Sequence, residues 1–332
     1  MAIRRNRRAM LVNLSLVLPC AGVVLWSLAT GDLRLGVDQV VAALTGGQDG
    51  VVRTVVVTWR LPRVVAAAIF GAGLAVAGAI FQSLTRNPLA APDVIGLSSG
   101  AYTGALIVII GMGGGYLQVS AGALAGCSIT AVVVHLLARR GDSGGFRLIV
   151  VGVGVSAMLT AANTWMLLRA QLEVAVAAAV WGAGSLNGIA WDRVAPAALA
   201  TLALLVVAVR FQPALRVMEM GEETARSLGL RVERDRLILL LTGVALTAAV
   251  IAAAGPIAFV ALAAPQIARR LTRGPGVTMT ASALVGALVL TVSDHVAQHL
   301  LPQVLPVGVV TVVAGGAYLV WLLIREQRRR PS

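Results

Sequence analysis

Between Leu11 and Ile324 the chain is a succession of long apolar runs separated by short segments that carry most of its charge. A helix needs about 20 largely apolar residues to cross roughly 30 Å of hydrocarbon. The runs lie at about 11–28, 64–84, 94–111, 117–138, 147–169, 194–211, 236–254, 257–271, 278–293 and 306–324. Composition points the same way. Of 332 residues, 58% are hydrophobic and only 12% charged, against about 25% charged in soluble chains. Too little polar surface remains to face water on all sides. The expectation is an all-α polytopic membrane protein, a single transmembrane domain over 1–332.

Arg4, Arg5, Arg7 and Arg8 precede the first run. That run is longer than the roughly 7–15 residues of a signal-peptide core, and Gly31-Asp32-Leu33 is no small-residue cleavage site, so a retained first span is expected. The run at 257–271 is short, and Gly255-Pro256 divides it from its predecessor. Pro256 offers no N–H and its ring clashes with the preceding turn, so a break is favoured over one kinked helix. Arginine placement decides the count. With ten spans and both termini cytoplasmic, 21 of the 27 arginines fall inside; Arg34, Arg53, Arg60, Arg63, Arg169 and Arg193 fall outside. Cytoplasmic loops favour cations in this way. Nine spans would place Arg328, Arg329 and Arg330 outside and weaken the bias.

The net charge of +13 therefore belongs to inner loops beside the lipid bilayer, and no nucleic acid is expected as a partner. There is no lysine, so a complete Walker A loop is excluded, because its Lys must reach the β/γ-phosphates. Any use of ATP must go through another protein. Cys20 and Cys127 lie in apolar stretches with no paired spacing and read as small buried hydrophobes. Gly96, Gly100 and Gly104 follow the small-xxx-small spacing that lets helices approach closely in lipid. Leu89-Ala90-Ala91-Pro92 is echoed by Leu262-Ala263-Ala264-Pro265, a slight hint of two five-helix halves.

Two loops are too long for plain connectors: an outer one at 31–63, ending near an interfacial Trp59, and an inner one at 212–235. The inner loop reads Glu219-Met220-Gly221-Glu222-Glu223-Thr224-Ala225-Arg226-Ser227-Leu228-Gly229. Met218, Ala225 and Leu228 are expected on one helical face, with Glu222, Glu223 and Arg226 exposed and Gly229 as the C-terminal stop. Such a helix could dock in a soluble partner and act as a lever, or lie on the membrane surface. Three acidic residues before Arg226 count against an anionic lipid surface. At the outer mouth, Arg60 and Arg63 run against the charge bias. They could meet carboxylates of a carrier protein or snorkel to the interface.

The spans hold almost no ionisable residues. Asp93 is expected to cap the helix it precedes. Asp294, His295 and His299 have no further ligand in reach, so no metal site is expected. Proton- or sodium-driven carriers bury carboxylates for coupling, which this chain does not offer, and no nucleophile or acid–base pair marks an enzyme.

The segments Arg60-Leu61-Pro62-Arg63, Gly71-Ala72-Gly73-Leu74-Ala75-Val76-Ala77-Gly78, Asn87-Pro88-Leu89-Ala90 and Gly96-Leu97-Ser98-Ser99-Gly100 occur in this order. They are followed by Gly184-Ser185-Leu186, Ala225 to Gly229, Gly255-Pro256-Ile257-Ala258-Phe259-Val260, Pro265-Gln266 and Leu305-Pro306-Val307-Gly308. Together they resemble the FecCD family of ABC importer permeases, which serve ferric siderophores, haem and vitamin B12. The resemblance implies the ten-helix fold of the vitamin B12 permease and no cofactor. It also implies as partners two ATPase subunits, a second permease and an extracytoplasmic substrate-binding protein. It makes Gly221, Glu222, Glu223, Ala225, Arg226, Leu228 and Gly229 the ATPase-coupling segment, and Arg60 and Arg63 the binding-protein contacts. The chain departs from many members at Gln266 (His there), Gln298 (Arg there), Val304 (Glu there) and Ala317 (Pro there). These departures resemble the enterobactin-type branch, which implies a ferric siderophore and a non-identical sister subunit.

Overall fold

The computed structural model describes residues 2–47, 49–138, 144–273, 276, 278–300 and 302–327. Among them every regular element is a helix. In chain order these are α1 (Ala2–Ala29), α2 (Val37–Thr45), α3 (Val51–Arg53), a π-helical turn (Thr54–Arg60), α4 (Leu61–Thr85), α5 (Leu97–Met112), α6 (Tyr116–Ala138) and α7 (Gly144–Arg169). Then come α8 (Leu172–Gly182), α9 (Trp191–Glu219), α10 (Glu222–Ser227), α11 (Val232–Ala254), α12 (Val260–Thr272), α13 (Met279–His299) and α14 (Val307–Gln327). Seven helical stretches are long and apolar enough to cross a membrane, and Leu97–Met112, Leu172–Gly182 and Val307–Trp321 are shorter apolar helices. Arg139, Arg140 and Arg328 to Arg330, used in the loop count, lie outside the described residues.

Each apolar run forms a helix, because lipid offers no water to bond the backbone amides and a helix satisfies them within one segment. The axis of the bundle is α4, which packs against α9, α11, α12 and α13 and is the most buried of the long helices. The π-helical turn before it has a local cause. Pro62 cannot donate to the carbonyl four residues back and its ring crowds it. The backbone widens just before, with Leu61 N–H bonding to the Val56 carbonyl, the longer π register.

Glycine sets the tightest crossings. A Cβ on Gly100 would strike Thr130, and one on Gly104 would strike the Gly122 carbonyl. Gly100 and Gly104 therefore serve the α5–α6 crossing, as expected of such stripes in lipid, while Gly96 faces Gly152 and Ser156 of α7. Gly71 and Gly286 meet in the same way between α4 and α13.

The break at Gly255-Pro256 is present: α11 ends at Ala254 and α12 begins at Val260. The irregular backbone between them is paired with that after α8. Ser185 N–H donates to the Ala254 carbonyl (2.7 Å) and Gly308 N–H to the Gly184 carbonyl (3.0 Å). Non-helical backbone inside a membrane protein is tolerated where protein groups satisfy it in this way. Asp93 corrects one expectation. It does not cap α5, whose N-cap Gly96 receives no side-chain bond. Its Oδ2 accepts the Phe259 N–H (3.0 Å) at the entry to α12. The four-residue echo also separates: Leu89 to Pro92 lie in turns, Leu262 to Pro265 inside α12.

Candidate coupling and docking surfaces

The inner loop is compact. Helix α9 runs through Glu219, Met220 follows, and Gly221 turns the chain at φ +127°. The short α10 covers Glu222–Ser227. It closes with Leu230 N–H on the Ala225 carbonyl and Gly229 N–H on the Arg226 carbonyl. This is the paired-bond stop that favours glycine at the left-handed position, and Gly229 has φ +81°. Ala225 is fully buried, packed with Leu215 and Met218 of α9 and Val232 of α11. Leu228 is 63% exposed. The expected shared face of Met218, Ala225 and Leu228 is thus replaced by a split: Ala225 anchors inward against Met218, and Leu228 projects outward. Helix α10 has fewer than two turns, so no continuous face extends from α9 to Leu228.

The charged residues sit on the exposed side. Arg226 lies 3.7 Å from Glu222 and 3.5 Å from Glu233, and Arg236 lies 3.1 Å from Glu222. Between α10 and the end of α4 opens a cavity of about 570 Å³ reaching from Ser83 and Arg86 to Glu223 and Arg236. Two bonds join the loop to α4: Ser83 Oγ donates to Glu219 Oε1, and Arg86 Nη2 donates to the Met218 carbonyl. Sequence patterning offered no sign of these partners, which lie 136 and 132 residues apart.

At the other end of α4 the two candidate docking arginines are already engaged. Arg60 Nη1 and Nη2 donate to the carbonyls of Leu28 (2.7 Å) and Leu33 (2.6 Å). Arg63 forms a bidentate pair with Asp294, Nε to Oδ2 and Nη2 to Oδ1, both at 2.7 Å. Its Nη2 also reaches Asn187 Oδ1, which accepts from Gln298 as well. The side chains of Arg63 and Asp294 are 15% and 8% exposed. Asp294 therefore belongs to Arg63, while His295 packs against Trp26 and His299. Trp59 is exposed beside this mouth.

Membrane-length helices around a central α4, with a short charged helix at one end and the paired arginines at the other, describe a multi-pass membrane protein. The chain belongs to the FecCD transport family, whose pattern matches residues 19–325. It is 47% identical to the Escherichia coli ferric enterobactin transport system permease protein FepG, over 98% of this chain and 99% of that one. It is 36% identical to the Bacillus subtilis Fe(3+)-citrate import system permease protein YfmE, over 98% of both. Among solved structures it resembles an inward-facing conformation of a metal-chelate type ABC transporter. The TM-score is 0.84 at 25% identity, covering 95% of this chain and 99% of the other.

Proposed function

We propose that this chain is the transmembrane permease subunit of an ATP-driven ABC importer in the bacterial cytoplasmic membrane, and that it passes a ferric siderophore delivered by an extracytoplasmic binding protein. The observation that carries this reading is the near-half identity to a ferric enterobactin permease along almost the whole of both chains. The partners are two ATPase subunits, which hydrolyse the ATP, and a second, non-identical permease. The single domain 1–332 crosses the bilayer ten times with both termini cytoplasmic. Contacts support that arrangement. Asn13 of α1 bonds Thr280, and Arg270 lies over Trp321 of α14, so both terminal helices reach the end of the bundle that holds α10.

In this reading Gly221 to Gly229 is the coupling segment. Ala225 fixes it to the bundle, and Glu222, Glu223, Arg226 and Leu228 face the ATPase. Arg60 and Arg63 serve the binding protein. Arginine carries five N–H donors. Among the described residues neither hydrogen on Arg63 Nη1 has a partner, which leaves one edge for an incoming carboxylate.

The test is reconstitution of the four components in liposomes. ATP should drive uptake of a labelled ferric catecholate, with haem and cobalamin failing to compete. Uptake driven by a proton or sodium gradient without ATP would defeat the assignment, and uptake of haem or cobalamin instead would change the cargo. A double proline variant at Ala225 and Arg226 should abolish uptake and leave basal ATP hydrolysis in place.

A further inference from the structure

We propose that Glu219 is the transmission residue of this transporter: the group through which motion of α10 reaches α4 and α12. The inference rests on the coupling reading above and names the contact that carries the stroke inward. Helices α9 and α11 flank the loop and must move with it. Helix α4 does not, yet it is the buried axis of the bundle. Its last turn is tied to the loop through Ser83 and Glu219. A hydroxyl donating to a carboxylate is among the stronger hydrogen bonds available to neutral side chains. Glu219 stands just before Met220 and Gly221, so little chain separates it from the lever.

The same carboxylate faces α12. Glu219 Oε1 lies 4.0 Å from Arg269 Nη2, the outer limit for an ion pair, with the two side chains 21% and 32% exposed. Arg269 Nε is buried and has no hydrogen-bond partner among the described residues. A buried donor without an acceptor costs free energy, so an arrangement that seats Arg269 fully on Glu219 has local chemistry in its favour. A cavity of about 390 Å³, bounded by Ser83, Arg86, Glu219 and Arg269, gives room for the exchange. Helix α12 is itself clasped to α4 through Gln82 Nε2 on the Leu262 carbonyl (3.0 Å), and to the turn after α4 through Gln266 Nε2 on the Pro88 carbonyl (2.6 Å). Glu219 can therefore be held by Ser83, as here, or by Arg269. The proposed shift of Glu219 from a bond chiefly to Ser83 towards one chiefly to Arg269 would supply the two-state element that long-range coupling requires.

The experiment uses the complete complex in liposomes and reads ATP hydrolysis and siderophore uptake together. Glu219→Ala should lower uptake per ATP by about 5-fold or more, the lower end of typical coupling between sites. Ser83→Ala removes a single oxygen and favours the Arg269-held state; Arg269→Gln favours the Ser83-held state. These two should shift hydrolysis measured without binding protein in opposite directions, whereas loss of a merely structural contact would move both the same way. Unchanged uptake per ATP in Glu219→Ala, or same-direction shifts in the other two, would overturn the proposal. Failure of the wild-type complex to transport would instead defeat the functional reading itself.

Discussion

At the mouth that holds Arg60 and Arg63, the guanidinium groups are turned into the protein and bonded to carbonyls and to Asp294. At the opposite end Arg226 is 57% exposed and pairs loosely with two exposed glutamates. The residue type is the same and the energetics are not. A largely buried pair cannot lose one member without leaving a stranded charge. An exposed pair is screened by water and salt and contributes little to stability. The mouth uses arginine to hold chain segments together: Arg63 joins α4 to the turn around Asn187 and to α13, and Arg60 joins the π-helical turn to the end of α1 and to Leu33. The inner loop is held by buried Ala225 and by its bonds to Ser83 and Arg86, and its charges on α10 stay exposed.

The largest expected effect tests the first half of that contrast. Arg63→Ala strands the Asp294 carboxylate and should cost about 3–5 kcal/mol of stability, read as a lower thermal midpoint of the purified protein in detergent. The double variant Arg63→Met with Asp294→Leu should recover most of the midpoint, because well-packed apolar pairs often replace buried ion pairs at little cost. It should not recover affinity for the binding protein, since the Nη1 donors are gone. A single variant that melts like wild type would erase the difference between the two ends. Recovery of both properties by the double variant would leave Arg63 with a structural role only.

The contrast also marks what could be read in the sequence. The ten apolar runs were legible because lipid forces each into a helix, and the α11–α12 break because Pro256 cannot continue one. The stop at Gly229 was legible because only glycine enters the left-handed region freely. The pairing of Arg63 with Asp294 was not, since 231 residues separate them and periodicity carries no information about such distances. Asp93 misled for the same reason: a local rule placed it on α5, while the fold brings it to Phe259. Helix α8 was missed because its 11 residues are too few to register as a span. The coupling loop fell between these cases. Its charges and its stop were visible, but whether Met218 belonged to α10 or to α9 depended on the turn at Gly221.

A middle-sized effect probes how α10 is held. Gly229 has φ +81° and nothing within 4 Å of a Cβ placed there, so an alanine meets no neighbour and its penalty is purely backbone. Gly229→Ala should cost about 1–2 kcal/mol, the cost of left-handed geometry for an L-residue. Because the loop lies at the end of the bundle, that loss should appear as faster amide exchange in 221–231 with a nearly unchanged global midpoint. A drop in the midpoint as large as that of Arg63→Ala would mean that the loop is as integral to the fold as the mouth.

The smallest effect on stability falls on Arg226. Its pairs at 3.7 and 3.5 Å are exposed, and Arg226→Ala should change stability by less than about 0.5 kcal/mol. Its effect on association should be larger in kind. Exposed charges at an interface set the rate of encounter and its dependence on salt, so the variant should bind the ATPase more slowly at low ionic strength. The difference from wild type should shrink as salt is added, because the Debye length falls to about 8 Å near physiological ionic strength. A salt-independent loss of affinity would place Arg226 in a desolvated contact, and the coupling end would then resemble the mouth more than it differs from it.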